Sequence, residues 1–294
     1  MVTLRGRIEL GFVKVLESLF RSVSLKRARS IGAGIGALLD LIGIRKTVML
    51  ENLRYAYPDA PDSDLQKIAS GVYRSFGKTL AEFARLPILN SQNVLELIEW
   101  HGFEQVQEAL KLGKGIIGVS GHIGNWEWMG AGTSLRGVPM TYVVTTQNNS
   151  FIEKRMDELR GNCGIEIVKR KDAAKGVLRA LRSNRMVAIL CDQDAHKEGV
   201  FVPFFGRLAS TPRGAMVFAL RTDSPVFFTE GVREGERFIV TFEQMDLSNL
   251  PTELDAAVEE GMKRITARLE ASVRRHPEQW LWLHRRWKTN KENS

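Results

Sequence analysis

The stretch that decides the fold runs from Gly115 to Trp128 and reads GIIGVSGHIGNWEW. The part that ends at Ser120 is apolar and rich in β-branched side chains, which predicts a buried strand. A glycine and a histidine follow, and Asn125 and Glu127 stand at the expected start of a helix. A strand that leads through a glycine turn into a helix is the first half of a βαβ unit. We therefore predict an α/β fold with polar side chains at the carboxyl end of this strand.

The alternation of strands and helices continues downstream. Short β-rich runs and helical patterns follow one another at Met140–Thr146, 149–161, Gly164–Lys169, 172–184 and Met186–Cys191. Two more strands, their hairpin turn and a last helix are predicted at Val226–Val232, Arg237–Phe242, 233–236 and about 251–276. Because βαβα alternation builds parallel strands, this order predicts a mainly parallel central sheet flanked by helices.

Residues 1–99 carry helical patterns instead. Apolar side chains recur every three or four positions from Leu65 to Leu86, the acidic residues of 62–64 are suited to cap that helix, and Pro87 is expected to end it. We predict a helical N-terminal, membrane-associating region over 1–99 and an α/β catalytic region over 100–294. The two are expected to form one continuous domain.

The membrane prediction rests on Ile31–Ile44, which reads IGAGIGALLDLIGI and is flanked by basic residues on both sides. A membrane span needs about 20 consecutive apolar residues, and no such run occurs. The first 21 residues also lack the uninterrupted apolar run of a secretory signal. Two interpretations of Ile31–Ile44 remain open. The segment is either an interfacial helix lying on a membrane or a core helix whose flanking charges are solvated.

Composition narrows the class of protein. Of 294 residues, 44% are apolar and 26% are charged, which excludes a disordered or low-complexity chain. The net charge of +8 favours an anionic partner: nucleic acid, an anionic membrane surface or a phosphorylated substrate. No zinc finger, RNA-recognition motif or long basic stripe supports nucleic acid, so no nucleic-acid partner is expected. The two cysteines, Cys163 and Cys191, are expected to be buried free thiols.

His122 is the candidate for proton chemistry. An imidazole with a pKa near 6.5 can accept a proton at neutral pH, and a carboxylate on its other nitrogen fixes the tautomer. Glu127 follows five residues later. The two side chains would diverge by about 140° on a continuous helix, but a strand–turn–helix junction can bring them together. The simplest use of the pair is activation of an acceptor hydroxyl that attacks an acyl donor. The alternative is a structural, hydrogen-bonded histidine.

The His-x4-Glu spacing resembles the His-x4-Asp/Glu signature of glycerolipid-type acyltransferases. One branch of that superfamily is also similar in three other segments: Glu51–Pro58 (ENLRYAYP), Gly199–Gly206 (GVFVPFFG) and Pro277–Thr289 (PEQWLWLHRRWKT). With the four motifs in the right order over roughly residues 25–290, the chain resembles the lipid A biosynthesis acyltransferases of the lauroyl and myristoyl type.

The resemblance implies transfer of an acyl chain from acyl carrier protein to a hydroxyl of a phosphorylated glycolipid, a lipid A precursor. It implies His122 as general base, Glu127 as its partner, Asn125 as an orienting residue, and no metal or cofactor. The reaction is expected at the cytoplasmic face of the inner membrane, with peripheral contact to an anionic membrane surface. Another glycolipid acceptor, such as a phosphatidylinositol mannoside, and an acyl-CoA donor remain alternatives.

The ends of the other strands supply candidate substrate-binding residues. Thr146 follows the second strand, and Arg170 and Lys171 follow the third. The resemblance implies an acceptor-binding arginine after the third strand, so Arg170 is assigned to a substrate phosphate or to the oxyanion. Asp194, after the fourth strand, is expected to pair with Arg170 or another arginine of the site. With Asp192 and His196 it also looks like a metal site, which the resemblance does not support.

Two aromatic segments have open interpretations. Pro203 and its phenylalanine neighbours Phe201, Phe204 and Phe205 either line an acyl groove or pack as a buried loop. The C-terminal tryptophans either anchor at lipid headgroups with Arg285 and its basic neighbours or pack inward.

Overall fold

The protein is described by a computed structural model that covers residues 4–147 and 149–289. Its strands are β1 (Glu99–His101), β2 (Ile116–Ser120), β3 (Met140–Val144), β4 (Glu166–Lys169), β5 (Met186–Leu190), β6 (Val200–Phe204), β7 (Arg207–Thr211), β8 (Val226–Glu234) and β9 (Arg237–Gln244). Seven of them form one sheet in the order β1-β9-β8-β2-β5-β3-β4, and β6 and β7 form a separate antiparallel hairpin.

The central sheet is mainly parallel, as predicted. Every neighbouring pair runs parallel except β8 and β9, which form an antiparallel hairpin. The hairpin turn is shorter than the predicted 233–236, because β8 continues to Glu234 and β9 begins at Arg237. Gly235 in this turn has φ of +62°, a conformation that glycine adopts without the steric cost of a side chain.

Eleven α-helices are assigned in the described residues. They are α1 (Leu4–Ser22), α2 (Leu25–Ile42), α3 (Lys46–Ala56), α4 (Asp62–Ala84), α5 (Asn93–Leu97), α6 (Phe103–Leu110), α7 (Trp126–Leu135), α8 (Ser150–Gly161), α9 (Ala173–Arg182), α10 (Gly214–Thr222) and α11 (Leu254–Arg275). The N-terminal region is helical, as predicted. Helix α4 ends two residues before its predicted end, and Pro87 lies in a short 3₁₀ turn over Leu86–Ile88.

Helix α2 contains most of the segment Ile31–Ile44, and its glycine face packs on α4. A Cβ on Gly36 would lie 2.0 Å from the carbonyl oxygen of Tyr73, and one on Gly32 would lie 2.3 Å from that of Gly77. Only glycine permits this close approach of two helix backbones. The glycine half of the segment is therefore a core contact. None of the helices in residues 4–147 and 149–289 combines the length and the apolar composition of a membrane span.

Two apolar cores lie on the two faces of the sheet. One joins α3, α4 and α11 to strands β2, β5 and β8, and it contains the fully buried Trp280 and Trp282. The other lies between the sheet and α7 and includes Trp128. The C-terminal tryptophans Trp280 and Trp282 therefore pack inward. Both cysteines are buried and free, as predicted.

Candidate active site

The site is built around His122, which lies just beyond the carboxyl end of β2. Its imidazole Nδ1 donates to Oδ1 of Asp192 at 2.8 Å, and its backbone N–H donates to Oδ2 of the same carboxylate at 2.7 Å. Asp192 follows β5, which pairs with β2 in parallel, so the two residues come from neighbouring strand ends. An imidazole that donates from Nδ1 keeps Nε2 as its basic nitrogen. The pair therefore has the geometry of a general base and its orienting carboxylate.

Burial and charge set the protonation of this pair. Burial lowers the pKa of His122, but the charge of Asp192, its hydrogen bond and the charge of Glu127 together raise that pKa above the ordinary 6.5. Burial raises the pKa of Asp192, whereas the charge and hydrogen bonds of His122 and the Trp280 indole lower it to about 2. Asp192 is thus an anion at neutral pH, and it makes His122 a stronger base.

Glu127 is not bonded to the imidazole of His122 as predicted, because the ring nitrogen Nδ1 of His122 bonds Asp192 instead. Glu127 instead makes a two-point ion pair with Arg160 of α8, with Nε to Oε2 at 3.0 Å and Nη2 to Oε1 at 2.5 Å. Both side chains are buried. The reason is local: α7 begins at Trp126, so Glu127 lies in the first helical turn and faces α8. Glu127 acts on His122 through its charge.

Asn125 is completely buried and belongs to the framework of the site. Its side-chain oxygen accepts the backbone N–H groups of Glu127 and Trp128, which caps the start of α7. Its amide nitrogen donates to the carboxylate of Glu82 at 2.7 Å. Glu82 is itself fully buried and paired with Arg233. Asn125 therefore fixes the turn that follows His122.

A cavity of about 480 Å³ opens beside His122. Its outer part, at the carboxyl edge of the sheet, is polar and includes Thr145, Gln147, Arg170, Gln193 and Arg213. Its inner part lies between α7 and the sheet and is lined mainly by apolar or small side chains: Gly118, Met129, Gly130, Thr133, Met140, Tyr142, Met186, Ala188 and Phe242. The buried Glu127–Arg160 ion pair also lines the cavity. A polar mouth that leads into an apolar cleft suits a ligand with a polar head and a hydrocarbon chain.

The predicted binding residues after β3 and β4 lie at or beside this mouth. Arg170 is exposed and lines the cavity. Lys171 is exposed next to it. Thr146 is exposed between two lining residues, Thr145 and Gln147. Asn148, which follows Gln147 in the sequence, lies outside the described residues.

The ion pair predicted for Asp194 is not formed with Arg170. Asp194 lines the cavity, but its carboxylate accepts the hydroxyl of Thr289 at 2.8 Å and the backbone N–H groups of Thr289 and His196. Its backbone N–H donates to Nε2 of His284 at 3.1 Å. Asp194 therefore attaches the C-terminal segment to the edge of the site. The described residues contain no group of three or more His, Cys, Asp or Glu placed to hold a metal ion.

Pro203 does not line the cavity. It is exposed on β6 of the small hairpin, where Phe204 is fully buried against Trp280 with ring centroids 5.5 Å apart. Of the two interpretations left open for this segment, the packed one fits the structure, since none of Phe201, Pro203, Phe204 and Phe205 lines the cavity. The apolar cleft lies on the α7 side of the sheet.

Comparison with known proteins gives a consistent result. The family model described as bacterial lipid A biosynthesis acyltransferase matches residues 11–289. A lipid A biosynthesis palmitoleoyltransferase from Escherichia coli is 26% identical over 266 residues, covering 88% of this chain and 84% of the relative. A lauroyltransferase of the same pathway and organism is 25% identical and covers 89% and 85%. A phosphatidylinositol mannoside acyltransferase from Mycolicibacterium smegmatis is 23% identical and covers 78% and 74%.

Proposed function

The chain belongs to the bacterial lipid A biosynthesis acyltransferase family, and from this premise we propose that it moves a fatty acyl chain from acyl carrier protein to a hydroxyl of a lipid A precursor. Acyl transfer to a glycolipid is what the family and its relatives support. The observation that carries the mechanism is the His122–Asp192 pair at the mouth of a cavity with an apolar inner cleft.

His122 acts on the acceptor in this proposal. Nε2 takes the proton of the acceptor hydroxyl as its oxygen attacks the carbonyl carbon of the donor thioester. The tetrahedral intermediate collapses, the carbon–sulfur bond breaks, and the imidazolium returns its proton to the leaving thiolate. Asp192 stabilises the imidazolium without taking the proton, because its pKa of about 2 keeps it ionised.

The apolar and polar parts of the cavity are assigned to different substrates in this proposal. The inner cleft, which Gly118 and Met186 help to line, receives the hydrocarbon chain of the donor. Arg170 at the mouth receives a phosphate of the acceptor, or the oxyanion, since a guanidinium forms charge-assisted and often bidentate bonds with either. Thr146 and Lys171 are exposed beside Arg170 and complete this polar rim. The enzyme is proposed to work at the cytoplasmic face of the inner membrane as a peripheral protein.

A second acceptor has support from the comparisons with mycobacterial relatives. The mycobacterial relative is named as an acyltransferase of phosphatidylinositol mannoside, and it matches 78% of this chain. The His122–Asp192 pair would serve either glycolipid, since it acts only on the hydroxyl and the thioester. The choice of acceptor therefore depends on the rim of the cavity.

The test is product mass after incubation with acyl carrier protein carrying mixed chains and each acceptor in detergent. His122→Ala is the inactive variant. His101→Ala is the matched control, because His101 is exposed on the edge strand β1. We expect wild type and His101→Ala to add one acyl group to the lipid A precursor, and His122→Ala to lose about 10²–10⁴-fold in rate. Acylation of the mannoside alone would select the second acceptor. An active His122→Ala would refute the mechanism.

A further inference from the structure

Helix α1 exposes a row of apolar side chains. Ile8, Phe12, Val15 and Leu19 are 64%, 65%, 67% and 41% exposed. At about 100° per residue these positions fall within an arc of about 60°, so they form one continuous stripe along the helix. Isolated exposed apolar residues are ordinary on protein surfaces, whereas a contiguous row marks an interaction surface. We call these four residues the α1 stripe.

The opposite face of α1 is held against the rest of the protein, so the stripe is a fixed feature. Glu17 is buried and pairs with Arg155 of α8 at 2.6 Å. Phe20 is buried in a cluster with Ala28 and Ala81. These contacts rotate the helix so that the stripe faces away from the protein.

The N-terminal half of α1 lies at the edge of the sheet that carries the site. Glu9 accepts from the side-chain nitrogen of Asn149 at 2.7 Å, and Asn149 caps the start of α8. Asn149 follows the loop after β3, in which Gln147 lines the cavity. The stripe therefore begins beside the mouth of the cavity.

The charges around the stripe favour an anionic lipid surface as its partner. Arg7 and Lys14 are exposed on one flank of α1, and Lys154 is exposed on the neighbouring α8. Apolar side chains with basic neighbours are the pattern of helices that lie in a membrane interface. A twofold pairing of two copies through this face would bring the same basic residues together, which like-charge repulsion opposes.

We propose that the α1 stripe docks the enzyme on an anionic bilayer with the mouth of the cavity turned toward the lipid headgroups. A lipid acceptor then reaches His122 from the membrane surface without first passing through water. The identity of that acceptor rests on the proposed function, whereas the docking itself can be measured without any substrate.

Vesicle binding tests the docking. Phe12→Ser/Val15→Ser removes the centre of the stripe, and Leu112→Ser is the matched control, since Leu112 is 62% exposed but precedes β2 at the opposite edge of the sheet. With vesicles of phosphatidylglycerol and phosphatidylethanolamine, we expect the stripe variant to bind about tenfold or more weakly and the control to bind like wild type. Binding should weaken with added salt and on phosphatidylcholine vesicles.

A second variant identifies the competing surface. Leu41 and Ile42, at the end of α2, are 84% and 64% exposed. If Leu41→Ser/Ile42→Ser loses vesicle binding and the stripe variant keeps it, the α1 proposal is overturned in favour of α2. If wild type sediments as a dimer, and the stripe variant loses the dimer but binds vesicles like wild type, the stripe is a contact between copies and the proposal fails.

Activity separates this proposal from the proposed function. The stripe variant should acylate acceptor in detergent micelles at the wild-type rate and acceptor in vesicles at least about tenfold more slowly. Equal rates on vesicles would overturn the docking proposal. If wild type acylates neither form, the proposed function has failed, and vesicle binding alone still decides whether the stripe docks.

Discussion

Trp280 donates its indole N–H to Oδ2 of Asp192 at 2.8 Å, the same oxygen that accepts the backbone N–H of His122. The contact joins two parts of the chain 88 residues apart. The backbone N–H of Leu281 also donates to the carbonyl of His122 at 2.9 Å. The C-terminal motif thus holds both members of the His122–Asp192 pair, which gives it a direct role in the geometry of the site.

Trp280→Phe should lower kcat while leaving the fold intact. The phenyl ring keeps most of the apolar packing, but a buried hydrogen bond to a charged carboxylate is lost, which is worth about 1.5–3 kcal/mol. If this free energy is lost in full from the stabilisation of the transition state, kcat falls by about 10- to 100-fold. Steady-state kinetics with a melting curve as control would measure it. A variant that melts early without a loss of kcat would show that Trp280 serves only packing.

The pH dependence of the reaction should report the influence of Asp192 on His122. The base must be unprotonated, so kcat/KM rises with pH through the His122 pKa, which lies above 6.5. Asp192→Asn removes the charge and ionic hydrogen bond that raise this pKa. The acid limb of the profile should therefore move to lower pH, while the plateau falls because the imidazolium loses its stabilising partner.

Glu127→Gln provides the comparison for that profile. Glu127 also raises the pKa of His122, but only through its charge and by less than either the charge or the hydrogen bond of Asp192. We expect a smaller shift of the acid limb in Glu127→Gln than in Asp192→Asn. A larger shift would restore Glu127 as the principal partner of His122.

Sequence patterns predicted six of the seven strands of the sheet, because those strands are apolar runs bounded by turns and their identity depends on local residues. They missed β1, since Glu99–His101 is only three residues long and has no apolar run. They also placed His122 directly after a buried strand, which is its position beyond β2; its role as the base stays a prediction. The carboxylate that bonds His122 could not be predicted in the same way. Choosing Asp192 over Glu127 requires knowing that β5 lies next to β2, and strand order is a long-range property.

The hairpin with Pro203 illustrates a second limit. An apolar, aromatic segment fits a ligand groove and a packed core equally well, because both bury apolar surface. Only the position of β6 and β7 against Trp280 decides between them. Arg160 was missed for a related reason, since a single arginine in an amphipathic helix gives no local sign that it meets a buried carboxylate.

The ion pair between Glu127 and Arg160 should matter for stability. Removing one partner of a buried pair costs up to about 3–5 kcal/mol, although Arg160 would keep its longer contact with Asp157 at 3.6 Å. We expect Glu127→Gln to lower the free energy of unfolding by this order, and Glu127→Gln/Arg160→Met to recover much of it. Urea unfolding of wild type, Glu127→Gln and the double variant measures these changes in the free energy of unfolding. If the single change leaves stability unaltered but abolishes turnover, Glu127 takes part in the chemistry directly.

Met186 should influence which acyl chain is transferred. It lines the inner cleft, and its terminal methyl group lies so close to Gly118 that a Cβ there would come within 2.7 Å of it. Met186→Ala enlarges the apolar part of the cleft, so the product should shift toward longer chains. Gly118→Ala adds a methyl group to the same cleft, and the flexible methionine side chain can move aside to accommodate it. The cleft then has less room, so the product should shift toward shorter chains. Product masses with mixed-chain donors report both changes, and Leu112→Ser, outside the cleft, should leave the distribution unchanged. A distribution that shifts in neither cleft variant would place the acyl chain elsewhere in the cavity.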